Sequence, residues 1–137
     1  MATANEFGIA LNKFKALIRK RHANAVKATA RAVHVRMVDV CPIDTSRAKT
    51  NWQMTLQTPA AEEVPFVKGR GGSSLGEALS ITTENRKQVL SRYRFGQQVW
   101  VSNVVPYIVL LDGGKSPQYP GGFTLDAIQA AKTVLRA

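Results

Sequence analysis

A single cysteine, Cys41, stands in a chain of 137 residues. One thiol excludes an internal disulfide framework and any zinc site built on several cysteines. Histidine is nearly as scarce, with only His22 and His34. Their spacing corresponds to roughly 18 Å along a helix, too far for one metal ion. His34 precedes Cys41 by two helical turns, which gives no Cys–His catalytic pair by spacing, and a buried thiol at a helix end is the ordinary alternative. No apolar run approaches a membrane span: the longest, Val104–Leu111, falls far short of about 20 residues. The first residues are polar and acidic (Thr3, Asn5, Glu6), which is not the pattern of a signal peptide. Acidic residues are also few, 9 against 19 Lys and Arg, for a formal net charge of +10. The expectation is a soluble intracellular protein whose positive excess serves a nucleic acid, an acidic protein partner, or solubility alone.

Apolar residues make up 45% of the chain, enough for one real core and one domain over residues 1–137. The charge is concentrated. Within the first forty residues Lys13, Lys15, Arg19, Lys20, Arg21, Lys27, Arg31 and Arg36 face only Glu6 and Asp39. A second basic group is Arg86, Lys87, Arg92 and Arg94. Three roles stay open for the first group: a solvated helix face, a surface for an acidic partner, or a contact with DNA phosphates. No zinc finger, aromatic interleaving or helix-turn-helix spacing accompanies it.

Phe7, Leu11, Phe14, Ile18, Val26, Ala30, Val33, Met37 and Val40 recur at steps of three and four, with His22 in the gap and His34 beside the stripe. That spacing predicts one amphipathic helix from about 5 to 40, started near Asn5 and ended by Pro42. It would be roughly 54 Å long, against about 30 Å for a domain of this size, so part of it should project or meet another subunit. Asp44 is placed to close a turn or cap a short helix. Asn51–Gln57 alternates as a half-buried strand, with Trp52, Met54 and Leu56 inward. Residues 59–76 read as a flexible loop, and its glycines lack the phosphate-loop pattern. A helix over about 76–92 should pack through Leu79, Val89 and Leu90. Val99-Trp100-Val101 centres a second strand. Pro106–Asp112 reads as strand or short helix, and proline at a first helical position favours helix. Residues 113–122 form a Gly/Pro loop, and a last helix from Thr124, its expected cap, to Arg136 packs through Ala127, Ile128, Ala131, Val134 and Leu135. The fold class expected is α+β, a small antiparallel sheet with a long N-terminal helix and middle and C-terminal helices packed on it.

Little in the sequence asks for catalysis. The carboxylates are scattered, Glu62 and Glu63 apart, and no serine sits in a nucleophile-elbow pattern. No cofactor and no metal are expected. Trp52 and Trp100 read as core or inter-strand packing, with a subunit-interface anchor as the alternative.

Two stretches carry more information. Pro42-Ile43-Asp44-Thr45-Ser46-Arg47-Ala48-Lys49-Thr50-Asn51-Trp52 resembles the P-[VI]-D-T-G-x-[LA]-x-x-[SN]-W signature of the tail-completion proteins of tailed bacteriophages and prophages, a family also described as minor tail, neck or head–tail joining proteins. Val99–Ile108 followed by Leu111–Phe123 resembles that family's strand ending in T-N-x-x-P-Y and its L-E-x-G-x-S-x-Q-x-P-x-G-[FM] segment. Departures are Ser46 for glycine, Asp112 for glutamate, Ser102 for threonine and Tyr119 for a small residue. Ser46 matters most, because glycine reaches positive φ easily and serine does not.

The resemblance implies an α+β fold and a non-enzymatic role at the head-proximal end of the tail or the head–tail joint. It implies self-association into a ring, six subunits on a six-fold tail. Its partners would be the tail-tube or terminator protein and the head-side connector, with possible non-specific contact with packaged DNA and no membrane. The location implied is the virion, and the host cytoplasm during assembly. By the same resemblance Pro42, Asp44 and Thr45 set a turn, Trp52 anchors a strand, and Asn103, Pro106 and Tyr107 fix the exit of the next strand. Asp112, Gly114, Ser116, Gln118, Pro120 and Gly122 shape an assembly loop. A tail terminator, a basic nucleic-acid-binding module and a small hydrolase are the rival functions.

Overall fold

The computed structural model describes residues 3–42, 46–65 and 75–136. Its elements are α1 (Ala4–Val40), α2 (Arg47–Thr50), β1 (Gln53–Leu56), α3 (Leu75–Arg92), β2 (Val99–Ser102), α4 (Ile108–Asp112) and α5 (Phe123–Leu135). The fold is α+β, a long N-terminal helix and a two-stranded antiparallel sheet with further helices packed on it.

Helix α1 runs unbroken through Gly8 and His22 for 37 residues, about 55 Å. Its N-cap is Thr3 rather than Asn5. The Thr3 hydroxyl accepts from the Glu6 amide at 3.2 Å and the Glu6 carboxylate accepts from the Thr3 amide at 2.8 Å, a reciprocal capping box. At the other end Cys41 is extended, as a residue before proline must be. The last carbonyls are served by a side chain from α2. Lys49 is buried, and its Nζ donates to Val38 O at 2.6 Å and to Asp39 O at 3.4 Å. A cation at a helix C-terminus satisfies orphan acceptors and opposes the negative end of the dipole. Burial holds the Lys49 pKa below its ordinary value.

The sheet pairs Gln53 with Ser102 and Leu56 with Val99. Strand β1 is shorter than its alternation suggests. Asn51 falls outside it and is fully buried rather than outward, because its amide joins two backbone segments. Asn51 Nδ2 donates to Arg47 O, and Asn51 Oδ1 accepts from Val64 N at 2.7 Å. The outer edge of β1 is covered by Asn85 of α3. Asn85 Oδ1 accepts from Met54 N and Asn85 Nδ2 donates to Met54 O, as a third strand would. Trp100 is 40% exposed, so it does not serve as core. Leu79 and Ile128 are exposed as well, and α3 buries Ala78 and Thr82 in their place. The region 59–76 is not all loop, since Leu75 and Gly76 already belong to α3; its glycines at 69, 71 and 72 lie outside the described residues. Thr124 lies inside α5, whose N-cap is Gly122 at φ 90°.

The two histidines exchange the places expected of them. His22 is exposed, edge-on to Phe95 at 5.0 Å between ring centres. His34 is fully buried between α1, the α2–β1 junction and α3. Its Nδ1 lies 3.1 Å from Arg86 Nη1, and its Nε2 lies 2.6 Å from Trp52 O. Arginine can only donate and a carbonyl can only accept, so the ring is neutral with its proton on Nε2. Burial lowers the His34 pKa to about 4, against the Trp52 carbonyl, which raises it; the Arg86 charge adds to the lowering.

Folded His34 therefore refuses a proton that the unfolded chain accepts below about pH 6.5. The unfolded state binds more protons between pH 6.5 and about 4, so stability falls as pH falls through that window and levels below it. The expected contribution to the loss is about 3 kcal/mol. Denaturant unfolding at pH 7, 5 and 4 measures the loss, and the His34 ring resonances assign it. A ring that titrates near 6.5 in the folded protein would overturn this account.

Candidate functional site

The two stretches that carry the family resemblance are separated by residues 53–98 and meet at one junction. Helix α2 and its entry come from the first. The exit of β2, α4 and the 113–122 loop come from the second. Asn103 ties them, since its Nδ2 donates to Ala48 O at 2.8 Å while its Oδ1 accepts from Val105 N at 3.0 Å. One amide thus fixes both the end of β2 and the position of α2. Arg47 adds a second tie. Its guanidinium forms a bidentate pair with Glu63, at 2.7 Å for each contact, and lies over the Tyr107 ring at 5.4 Å. The hydrogen bonds from Arg47 hold the Glu63 carboxyl below its ordinary pKa. A cavity of about 200 Å³ opens between the stretches, lined by Pro42, Ser46, Arg47, Tyr107, Leu111 and Gln118 among others.

Beneath this junction lies the apolar cluster that supports it. Trp52 is buried and meets Phe123 edge-on at 4.9 Å, and Tyr119 stacks on Phe123 at 4.6 Å. Met37, Val38, Cys41 and Ala48 complete the cluster. Burial pushes the Cys41 thiol up to about 11, which removes the thiolate and with it nucleophilic character near neutral pH. The Tyr119 hydroxyl donates to Asp126 Oδ2 at 2.5 Å, and Arg36 Nη2 donates to Asp126 Oδ1 at 3.2 Å. Burial raises the Tyr119 pKa, and the hydrogen bond from Tyr119 lowers that of Asp126. Tyr119, set down as a mild departure from a small residue, is thus a buried part of the core with a polar handle of its own.

The 113–122 loop is held by Asp112 rather than by glycines alone. Asp112 Oδ1 accepts from Phe123 N at 2.8 Å, which caps the first turn of α5 from a distance, and Asp112 O accepts from Gly122 N at 3.0 Å. This is the capping role expected of Thr124. Gly114 stands at φ 81° with Pro120 O only 2.6 Å from where a Cβ would sit. Gly121, which the resemblance did not single out, is the tightest position of all. A Cβ there would lie 2.3 Å from Asp112 O and 2.7 Å from Gly114 N. Only the paired backbones reveal this, because sequence offers two adjacent glycines with no means to rank them. Within the loop Ser116 Oγ accepts from Gln118 N, and Ser116 bridges Tyr119. Pro106, Asp112, Gln118 and Pro120 are exposed, whereas Pro42, Tyr107, Gly114, Ser116 and Gly122 are half-buried. Asp44 and Thr45 lie outside the described residues. Ser46 is buried at φ 66° and ψ 6°, the left-handed region that glycine occupies at no steric cost.

The basic residues divide. Lys13, Lys15, Arg19, Lys20, Arg21 and Arg31 are exposed on α1, and Lys27 is half-buried. Arg36 is engaged with Asp126 and, at 3.9 Å, with Asp39. Arg86 is turned inward to His34. Among the described residues no group of three or more His, Cys, Asp and Glu is placed to hold a metal ion, and no helix is long and apolar enough to cross a membrane. The junction presents a surface tied by hydrogen bonds, with one partly exposed loop. Comparison with protein-family models, with curated proteins and with solved structures finds no match for the chain.

Two stability measurements test this construction. Gly121→Ala should cost more than about 3 kcal/mol, because backbone on both sides must move. Gly96→Ala, at a similar φ of 91° with nothing within 4 Å, should cost only about 1 kcal/mol. Equal losses would show that the Asp112–Gly121 contact does not hold the loop. Ser46→Val should lower stability by about 1–3 kcal/mol, while Ser46→Gly should stay within about 1 kcal/mol of the parent. Thermal unfolding of the variants gives both comparisons, and an undisturbed Ser46→Val would remove the left-handed assignment.

Proposed function

We propose that this chain is a non-enzymatic structural component of a tailed-bacteriophage virion, acting as a ring of subunits at the head-proximal end of the tail or at the head–tail joint. The observation that carries the proposal is the junction itself. The two stretches that resemble the tail-completion family are tied side chain to backbone through Asn103, and ring to ring through Trp52, Phe123 and Tyr119. Two chance matches would have no reason to converge on one cluster. A second support is the N-terminal half of α1, which no other element of the fold covers; every residue from Ala4 to Arg21 except Gly8 is exposed. A free helix of this length is costly in a monomer and useful in an assembly.

In this reading the ring meets the tail-tube or terminator protein on one side and the connector on the other, in the host cytoplasm during assembly and in the virion afterwards. The cations of α1 face the DNA passage or an acidic neighbouring ring. Stopping tube growth, the terminator role, is the neighbouring function within the same class. The exposed run Lys13, Lys15, Arg19, Lys20 and Arg21 favours one rival of another class, a basic nucleic-acid-binding module.

The test pairs mass by light scattering with negative-stain images, then binding to purified tails. A chain of 15.0 kDa closed six-fold gives about 90 kDa. Rings of that mass, or decoration of one tail end by protein that is monomeric alone, are the expected outcomes. Tight duplex binding by the isolated protein, weakening steeply with salt and lost as the Lys13–Arg21 cations are neutralised, with no attachment to tails, would replace the structural role by the nucleic-acid one.

A further inference from the structure

Two apolar surfaces on this chain have no partner among the described residues, and they match each other in length. The first is the stripe Phe7, Leu11, Phe14 and Ile18, exposed by 66%, 40%, 58% and 48%. Its spacing of four, three and four is that of a helix seam presented to another packed surface. The second is an open groove of about 500 Å³ where the middle of α1 runs beside β2 and the end of α5. His22, Val26, Ala30 and Val33 form one wall, with Val99, Val101 and Leu135 opposite. Stripe and groove wall each span eleven steps along α1, about 17 Å. Both lie on one unbroken helix, so a chain cannot fold its stripe into its own groove.

We propose that the stripe Phe7–Ile18 of one copy seats in the α1–β2–α5 groove of a second copy, so that each chain offers one projecting helix and one receiving groove. The proposal rests on the assembly reading above and names the contact that would build the ring. Charge permits it. Lys13, Arg19 and Lys20 stand about 100° or more around the helix from the centre of the stripe and stay in water when it is covered. Lys15 and Arg21 border it, within about 70° of its centre, and their long stems can lie along its rim with the charges in water, while the groove residues carry no carboxylate or fixed cation. Area supports it. Allowing about 200 Å² for a phenylalanine, the stripe leaves on the order of 400 Å² open, and covering it removes about twice that from water. With flanking atoms the contact reaches the lower range of specific interfaces, about 1,200 Å². A membrane or an acidic helix would cover the stripe and leave the groove bare; a second copy covers both. Helix and groove are different surfaces, so the contact is head-to-tail and propagates until a ring closes.

Like-charged copies also set the salt dependence. Screening lowers their mutual repulsion, so association should strengthen as salt rises, opposite to binding of an acidic partner or a nucleic acid.

The experiment uses two variants of the full chain, Leu11→Arg in the stripe and Ala25→Arg at the groove. Both positions are exposed, and arginine is a good helix former, so circular dichroism should be unchanged. The wild-type protein should self-associate by light scattering, more strongly at high salt. Each variant alone should associate at least tenfold more weakly. An equimolar mixture should recover pairs, because Ala25→Arg keeps an intact stripe and Leu11→Arg keeps an intact groove. Variants that associate like wild type, a mixture that stays monomeric, or a wild type that is monomeric at every salt concentration would each overturn the proposal. Rings that persist in both variants would overturn it while leaving the assembly reading in place. Recovered pairs with a wild type that stops at two copies would keep the contact and remove the ring.

Discussion

The end of α1 and the start of α2 are joined by one buried cation. Lys49 lies at 5% exposure with its ammonium on the last carbonyls of α1. A helix of 37 residues that stops against the core leaves four carbonyls to satisfy; Cys41 N serves Met37 O, and Pro42 has no amide to offer the next. Lys49 meets that demand and, in doing so, places α2 across the helix end. Ala48 of α2 and Asn51, the residue that ends it, then receive Asn103 and hold the segment before Pro65. The second family-like stretch then docks on the first through α2, by the Asn103 amide on Ala48 O, and through the Trp52–Phe123 ring contact.

Around it the fold treats polar groups consistently. A sheet of two strands cannot supply a core or protect its own edges. The edge is closed by the Asn85 amide, the centre by the neutral His34 ring, and the loop by Asp112. Each is a side chain standing in for backbone that a larger sheet would have provided. The consequence for function is rigidity at the junction. Its loop is tied at Asp112, Gly121 and Tyr119, which restricts the shapes it can adopt.

Helix α1 divides the molecule in another way. Its C-terminal half carries Met37 and Val38 into the core, and its N-terminal half carries phenylalanines into water. The pattern of apolar residues is the same along both halves. What differs is the neighbour, since α5 and β2 reach only the second half. The result is an apolar stripe exposed on the N-terminal half of α1, with Lys13, Arg19 and Lys20 turned away from it.

Much of this was readable beforehand. Periodicity located α1, β2 and α5 to within a few residues, and Pro42 marked where α1 stops. Excess length told that α1 must project, because 1.5 Å per residue outruns a small domain. Residues that meet at the junction, Asn103 and Tyr107 among them, were singled out beforehand only through their resemblance to a family signature. Other features were not. Asn51 looked like an outward strand residue, Leu79 like a core contact and Thr124 like a cap, since each fits a local pattern. His22 and His34 lie about 120° apart around the helix, both within reach of a packed face, and only His34 meets Trp52 and Arg86. Nothing in the order of residues shows that Asp112 caps a helix eleven positions on, or that Gly121 is tighter than Gly122. The sequence by itself determined the elements and the imbalance of charge, because propensity, periodicity and chain length act locally. The tertiary structure alone decided which polar groups are buried and with whom, because those pairings join residues that are distant in the chain and compete for the same acceptors.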